Sequence, residues 1–93
     1  MTQLTPKQIK AALPAVKSWT KQSAEIARTY QFKDFVAAMK FVNKVAKLAE
    51  AAAHHPDIDI RWNKVTLALT THSEGGLTPK DFELAAKFDA LMA

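Results

Sequence analysis

Residues 33–53 carry the pattern that most limits how this chain can fold. Apolar residues recur there at spacings of three and four, the period of an amphipathic helix. One stripe, which we expect to be buried, comprises Phe35, Met39, Val42, Ala46, Ala49 and Ala53, and a second stripe beside it comprises Phe41, Val45, Leu48 and Ala52. Pro56 stops the helix, because a proline disfavours helical backbone in the residue before it. A helix that is apolar on two flanks is expected to cover a sheet with one flank and a second subunit with the other.

The segment after Pro56 alternates between polar and apolar residues, which predicts two β-strands. The strands are residues 57–62 and 65–71, and Asn63-Lys64 is the predicted two-residue turn between them. Position 62 then pairs with position 65. The face that this register places in the core consists of Ile58, Ile60, Trp62, Val65, Leu67 and Leu69.

The chain before this helix predicts one short helix and two strands. Thr5-Pro6 is typical of a helix start, since Thr is a good N-cap and Pro suits the first helical position. We expect this first helix to end before Pro14. Residues 15–32 alternate polar and apolar side chains and predict two strands, with a weakly marked turn near Gln22-Ser23.

The chain ends in a third predicted helix, residues 79–92, which begins at Thr78-Pro79. Asp81 occupies its third position, where an acidic side chain is favourable. The element order is α-β-β-α-β-β-α. Because the strands come in hairpin pairs, we predict an α+β fold in which three helices pack on one face of a four-stranded antiparallel sheet.

Composition limits the classes of function. A length of 93 residues predicts a single domain, residues 1–93. The sequence has no cysteine, which excludes disulfides, thiolate zinc sites and thiol nucleophiles and suits a reducing compartment. The net charge of +4 comes from Lys and Arg spread along the chain, so we expect no nucleic-acid partner. With no apolar run of about 18 residues and no apolar signal-peptide core, we predict a cytoplasmic protein without a membrane partner.

All three histidines, His54, His55 and His72, lie in one stretch of the chain. Histidine can both accept and donate a proton near neutral pH, so the cluster indicates acid–base chemistry. If the ladder of the second hairpin continues, His72 lies opposite His55, at the cross-strand spacing of about 5 Å. Glu50 precedes His54 by four residues, so on a helix it could orient the His54 ring. His54 and His55 diverge on a regular helix and converge only if the helix unwinds at Pro56.

A metal site is the alternative interpretation of the same residues. Three histidines and Glu50 are plausible ligands for zinc or iron, which would indicate a metal-dependent hydrolase or oxygenase. Adjacent histidines on a regular helix, however, do not face one ion, and we predict no metal. The sequence also lacks a glycine-rich phosphate loop and a nucleophile elbow.

The pattern Glu50-x3-His54-His55-Pro56-x5-Trp62-x9-His72-x8-Asp81 resembles the signature of the pterin-4a-carbinolamine dehydratases. The predicted order of helices and strands is also similar to that family's fold over nearly the whole chain. One position departs from the family pattern, because many members have an aromatic residue where Ile58 stands.

The resemblance implies a reaction and a role for each signature residue. The substrate would be a 4a-hydroxytetrahydropterin, which loses water to give the quinonoid dihydropterin in tetrahydropterin recycling, without a cofactor. His55 and His72 would form the principal acid–base pair, and His54 would bind the pterin or assist. The residues that would bind substrate or support the site are Glu50, Pro56, Trp62 and Asp81.

The second apolar flank of the helix at residues 33–53 predicts a homodimer or homotetramer. A non-catalytic alternative comes from the same family, in which some relatives act as dimerisation cofactors of a homeodomain transcription factor through their helical face. No feature of the sequence indicates such a partner, and we predict an enzyme.

Overall fold

The computed structural model describes residues 2–92. The helices are Pro6–Ala12 (α1), Phe35–Ala52 (α2) and Pro79–Ala90 (α3). The strands are Thr20–Gln22 (β1), Glu25–Gln31 (β2), Asp57–Arg61 (β3) and Lys64–Leu69 (β4). Two short 3-10 helices, Leu13–Val16 and His72–Glu74, complete the chain. The predicted order and the α+β class are confirmed. Among residues 2–92, every helix is too short or too polar to cross a membrane.

Local sequence signals explain where the helices begin. The Thr5 hydroxyl accepts a hydrogen bond from the Gln8 amide at 3.2 Å, and the Gln8 side chain accepts one from the Thr5 amide at 2.9 Å. This reciprocal capping box satisfies two amides that the first turn of α1 leaves free. At the start of α2, the Asp34 carboxylate accepts from the Ala37 amide at 2.8 Å. Each helix therefore starts at a residue whose side chain can replace a missing backbone acceptor.

The four strands form one antiparallel sheet in the order β1-β2-β4-β3. One face carries the core and the helices, and the other carries small and polar side chains such as Thr29 and Thr66, whose hydroxyls lie 2.8 Å apart. Fully buried sheet residues pack in one core with residues of α2 and α3: Ile26, Tyr30, Val65, Leu67 and Leu69 with Val45, Ala85 and Phe88. The sheet thus has one covered and one open face, as its alternating strands predict.

The first predicted strand pair is shorter than the sequence suggested. Leu13–Val16 is helical, and β1 has only three residues. Its turn to β2 is Ser23-Ala24, where Ser23 adopts a positive φ of 55°. The alternation before β1 has another cause, because the buried Trp19 packs in the core and donates its indole N–H to Asp89 at 3.0 Å.

The predicted turn of the second hairpin was wrong by one residue. The loop is Trp62-Asn63, and the last ladder pair is Arg61 with Lys64. Asn63 is held by the end of β2, since its side-chain amide donates to the Phe32 carbonyl at 2.8 Å and its own carbonyl accepts from the Phe32 amide at 2.9 Å. Trp62, the first residue of this loop, therefore takes a positive φ of 52°.

The shifted register keeps the predicted faces but not the predicted core. Ile60 pairs with Val65 and therefore still shares its face, because the pairing moved by an even number of residues. Ile58 and Ile60 are nonetheless exposed, since β3 is the edge strand and has no neighbour on its outer side. Trp62 lies beyond the ladder and is 68% exposed, so its interpretation as a core residue was wrong.

The buried stripe of α2 is mainly the second of the two that the sequence offered. Phe41 and Val45 are buried, whereas Phe35 and Ala46 are exposed. The Phe41 ring stacks obliquely on Tyr30, with ring centroids 4.6 Å apart. This aromatic contact contributes to the rotation of the helix about its axis, because the large Phe41 ring buries much apolar area against the sheet. In the first stripe Ala49 is buried and Met39 and Val42 are half-buried, so the prediction that this stripe is buried was correct only in part.

Candidate functional site

The end of α2 determines where the first two histidines point. Ala53 adopts a left-handed backbone with φ of 52°. Its amide bonds to the Glu50 carbonyl at 3.1 Å, and the His54 amide bonds to the Ala49 carbonyl at 3.1 Å. These two bonds form a Schellman motif, which ends the helix and redirects the chain. His54 and His55 therefore lie outside the helix, and unwinding occurs at Ala53 instead of at the predicted Pro56.

His54 bonds to a carboxylate of α3. Its Nε2 lies 2.5 Å from Oδ1 of Asp81, and the side chains are 11% and 0% exposed. The second oxygen of Asp81 accepts from the Thr78 amide and from the Thr71 hydroxyl, both at 2.9 Å. The Thr71 and Thr78 hydroxyls are also 2.9 Å apart. Asp81 is therefore both the predicted helix-start residue and the partner of a candidate catalytic ring.

His55 bonds to a carboxylate of its own helix. Its Nε2 lies 2.5 Å from Oε1 of Glu50, and the two side chains are 62% and 78% exposed. The expectation that Glu50 orients His54 was therefore wrong. The left-handed turn at Ala53 is the reason, since it brings His55 back over the last turn of α2 and sends His54 toward α3.

His72 does not lie in the ladder opposite His55, as the sequence had suggested. Strand β4 ends at Leu69, and His72 begins a 3-10 helix that turns at Gly75, where φ is 76°. His72 lines a cavity of about 400 Å³ with residues of the β1–β2 turn and of its own loop: Gln22, Ser23, Ala24, Glu25, Thr70 and Gly75.

A second cavity, of about 210 Å³, lies beside His54 between α2 and α3. Its other lining residues are Ala52, Lys80, Glu83, Leu84 and Lys87. Within residues 2–92, neither of the two cavities includes His55 in its lining. The three imidazoles thus do not share one cavity in this chain. His54 and His72 are connected instead through Asp81 and Thr71, because Thr71 precedes His72 and bonds to Asp81.

Pro56 and Trp62 stand at opposite ends of β3. Pro56 is half-buried directly after His55. Trp62 follows seven residues after His55, and at about 3.3 Å per strand residue it lies roughly 20 Å away. In a single chain, Trp62 is therefore separated from the histidines.

Comparison with known proteins identifies the family of this chain. The family described as Pterin 4 alpha carbinolamine dehydratase matches residues 2–91. This chain belongs to that family. A relative from Acidobacterium capsulatum, which carries the provisional name pterin-4-alpha-carbinolamine dehydratase, is 60% identical over 92 residues, with 99% of this chain and 100% of the relative covered. A relative from Roseiflexus sp. with the same provisional name is 55% identical, with 98% of each chain covered.

Two solved structures share the dehydratase-family fold. The transcriptional coactivator/pterin dehydratase from Brucella melitensis superposes with a TM-score of 0.94 at 36% identity, covering 99% of this chain and 100% of that one. A pterin dehydratase-like protein identified as a RuBisCO assembly factor in the alpha-carboxysome has a TM-score of 0.70 at 25% identity, covering 80% and 88%. The fold of the dehydratase family thus occurs both in a transcriptional coactivator/pterin dehydratase and in a RuBisCO assembly factor.

Sequence reasoning missed Thr71 and Thr78 as members of the site in this dehydratase-family chain. Thr78 could have been found, because Thr at an N-cap with Asp three residues later is the signature of a capping box. Thr71 had no signal of its own, since its contact with Asp81 depends on how β4 meets α3. Among residues 2–92, no three His, Asp or Glu side chains gather closely enough to hold a metal ion.

Proposed function

We propose that this chain catalyses the dehydration of a 4a-hydroxytetrahydropterin to the quinonoid dihydropterin, as a step of tetrahydropterin recycling. Membership of the pterin-4a-carbinolamine dehydratase family supports the substrate class. The name of the Acidobacterium capsulatum relative supports the same reaction. The mechanism that we propose uses the histidines as proton donor and acceptor.

The reaction needs two proton transfers. The N5 proton of the pterin goes to a base, and the N5 electron pair forms a double bond to C4a. The C4a–O bond breaks, and an acid protonates the departing hydroxyl so that it leaves as water. No proton is gained or lost overall. Each positioned transfer is worth about 10²–10⁴-fold in rate, and histidine near pH 7 can fill either role.

The observation that carries this mechanism is the pairing of two adjacent imidazoles with two carboxylates. His54 and His55 each bond to a carboxylate through Nε2, at 2.5 Å. A carboxylate that pairs with Nε2 leaves Nδ1 available for a ligand. We propose His55 and His72 as the principal acid–base pair and His54 as the ring that binds the pterin or assists. Both principal rings are solvent-accessible, as proton exchange with substrate requires.

The other signature residues have supporting roles in this proposal. Glu50 orients His55, and Asp81 orients His54. Pro56 fixes the direction of the chain between His55 and β3, because its ring locks φ. Trp62 offers an exposed indole face on which a flat ring could stack.

Stopped-flow measurement of the decay of freshly made 4a-hydroxytetrahydropterin tests the proposal. Wild-type protein should accelerate decay over the spontaneous rate. His55→Ala and His72→Ala should each reduce that acceleration by at least about tenfold while the fold survives. Lys10→Ala, at an exposed position of α1, is the control and should behave as wild type. Wild-type rates in both histidine variants would remove the assignment.

A binding module is the second candidate function. The pterin dehydratase-like protein of similar fold that was identified as a RuBisCO assembly factor supports it. Large exposed apolar side chains at Phe35, Val36 and Trp62 also suit protein contacts. A folded chain that leaves carbinolamine decay unchanged yet self-associates would favour this function over the dehydratase.

We further propose that the chain forms a homodimer or homotetramer. The exposed part of the first α2 stripe, around Phe35 and Ala46, and the edge-strand residues Ile58 and Ile60 support it, because exposed apolar surface of this kind is typical of interfaces. Sedimentation of a strict monomer at micromolar concentration would contradict this proposal. A cytoplasmic location is also proposed, and the absence of cysteine supports it.

A further inference from the structure

We propose that Thr71 is a positioning residue. Through Asp81 it holds His54 as the tautomer that carries its proton on Nε2 and offers the lone pair of Nδ1 to the pterin. The catalytic consequence rests on the proposed dehydratase function, whereas the tautomer itself does not. Two hydroxyls, one backbone amide and one carboxylate determine the direction of each proton in this chain of contacts.

Asp81 is the acceptor at the centre of the chain of contacts. Its side chain is fully buried at the third position of α3, where the positive end of the helix dipole favours a carboxylate. The Thr78 amide can only donate, and it does so to Oδ2 of Asp81 at 2.9 Å. An ionised carboxylate only accepts, so the Thr71 hydroxyl, 2.9 Å from the same oxygen, is the donor.

Because each hydroxyl has only one proton, the direction of the hydrogen bond between the Thr71 and Thr78 hydroxyls is also determined. Because the Thr71 hydroxyl uses its proton on Asp81, the contact of 2.9 Å between Thr71 and Thr78 requires the Thr78 hydroxyl to donate to Thr71. The bond from the Thr71 hydroxyl to the Asp81 carboxylate is charge-assisted, and such bonds are stronger than neutral ones, above all where water is excluded. The donors to Asp81 come from two segments, the residues that follow β4 and the start of α3. Together they hold the Asp81 side chain in one orientation.

The tautomer of His54 follows from the orientation of Asp81. Oδ1 accepts at 2.5 Å from Nε2 of His54, so Nε2 carries a proton. A neutral imidazole has one N–H, and Nδ1 is then the acceptor. Within residues 2–92, Nδ1 of His54 has no hydrogen-bond partner, and no buried side-chain N or O atom is left unpaired. Nδ1 of His54 therefore reaches solvent, where a pterin N–H could donate to it.

Thr71 also determines where His72 stands relative to His54. The Thr71 amide donates to the Gly76 carbonyl at 3.1 Å, and the Gly76 amide donates back to the Thr71 carbonyl at 3.3 Å. These bonds close the loop that carries His72. One residue thus fixes the backbone before His72 and, through Asp81, the ring of His54.

Nuclear magnetic resonance of the ring nitrogens in ¹⁵N-histidine-labelled protein tests the inference without substrate. Single glutamine variants assign the three rings. Wild type should show a proton on Nε2 of His54 and a bare Nδ1. Thr71→Val, which keeps the side-chain shape and removes the donor, should shift the His54 nitrogens toward a mixture of tautomers. Thr71→Ser should restore the wild-type pattern.

Thr66→Val is the matched control, since it makes the same change on β4, where the Thr66 hydroxyl bonds to Thr29 on the open face. It should leave the His54 nitrogens and the dehydration rate unchanged. In stopped-flow assays, Thr71→Val should reduce kcat/KM about tenfold, as the loss of one oriented hydrogen-bond acceptor for the pterin would, and Thr71→Ser should recover most of it.

Three results would overturn the inference. They are a wild-type His54 with its proton on Nδ1, a folded Thr71→Val protein with wild-type His54 nitrogens, and a Thr71→Ser protein that behaves like Thr71→Val. If Thr71→Val does not fold, the wild-type and serine spectra still decide. If wild type does not dehydrate the carbinolamine, the proposed function fails, and the spectra decide the positioning role separately.

Discussion

The two carboxylate–histidine pairs have the same contact distance but different surroundings. His54 with Asp81 and His55 with Glu50 both show 2.5 Å between Nε2 and a carboxylate oxygen. The first pair is almost fully buried and the second is mostly exposed. In addition, Asp81 has two further donors on its second oxygen. Water competes for the exposed pair and screens its charges, whereas it does neither for the buried pair.

The difference shows that contact distance alone does not measure how firmly a ring is held. The buried carboxylate loses several donors at once if it moves, so its partner ring is fixed. The exposed carboxylate can exchange its partner for water at little cost. We infer that the His54 ring is preorganised, while the His55 ring is free to reorient.

Removing each carboxylate charge should give the largest contrast between the pairs. Asp81→Asn leaves His54, Thr71 and the Thr78 amide competing for one amide oxygen, and we expect it to lower the free energy of unfolding by about 3 kcal/mol. Glu50→Gln should change the free energy of unfolding by less than about 0.5 kcal/mol. Urea unfolding monitored by circular dichroism measures both. An equal decrease in the free energy of unfolding in the two variants would contradict the difference between the buried and the exposed pair.

A third carboxylate, Asp89, is intermediate in exposure between Asp81 and Glu50. One of its oxygens accepts from Trp19, from Arg28 at 2.7 Å and from the Tyr30 hydroxyl. Burial of the phenol, together with its hydrogen bond to Asp89, raises the pKa of Tyr30 well above its ordinary value.

This raised pKa predicts how stability depends on alkaline pH. The folded state keeps the Tyr30 proton after the unfolded state has lost it, so its contribution is complete below about pH 10 and decreases as the pH rises further. Tyr30→Phe should remove this part of the decrease and cost about 1 kcal/mol at neutral pH through the lost hydrogen bond. Tyr30 is the only tyrosine in the sequence, so tyrosinate absorbance follows it directly. A Tyr30 titration at the ordinary pKa in folded protein would refute the prediction.

The smallest expected effect concerns the turn that separates the two pairs. Ala53 is left-handed at φ of 52°, a backbone that costs an L-residue about 1 kcal/mol and glycine almost nothing. Ala53→Gly should therefore stabilise the protein by about 1 kcal/mol. Ala51→Gly, at an exposed position inside α2, is the matched control and should destabilise it by about 1 kcal/mol. Thermal unfolding of both variants measures the difference, and destabilisation by Ala53→Gly would contradict the turn geometry.

The sequence predicted the fold well because its helix and strand signals are local. Period-two alternation defined β3 and β4, and Thr-Pro pairs correctly marked the starts of α1 and α3. The predicted position of the hairpin turn was wrong because a non-local contact determines it, namely the two hydrogen bonds between Asn63 and the backbone of Phe32. Edge exposure of Ile58 was likewise invisible, since strand order β1-β2-β4-β3 depends on how the two hairpins pair.

The site was predicted in membership more than in pairing. The histidines and both carboxylates were named from the sequence, and each of these carboxylates does bond to a histidine. Which acid meets which ring could not be predicted, because one left-handed residue, Ala53, exchanges the partners. Whether these residues carry out catalysis stays a prediction.

Replacing all three histidines at once shows whether the imidazoles carry out the dehydration. Decay of freshly made 4a-hydroxytetrahydropterin should be compared between wild type and a variant in which His54, His55 and His72 are all glutamine, which keeps polar side chains but removes the imidazoles. We expect rapid decay of the 4a-hydroxytetrahydropterin with wild type and decay at the spontaneous rate with the folded triple variant. Equal acceleration by both proteins, or no acceleration by wild type, would contradict it.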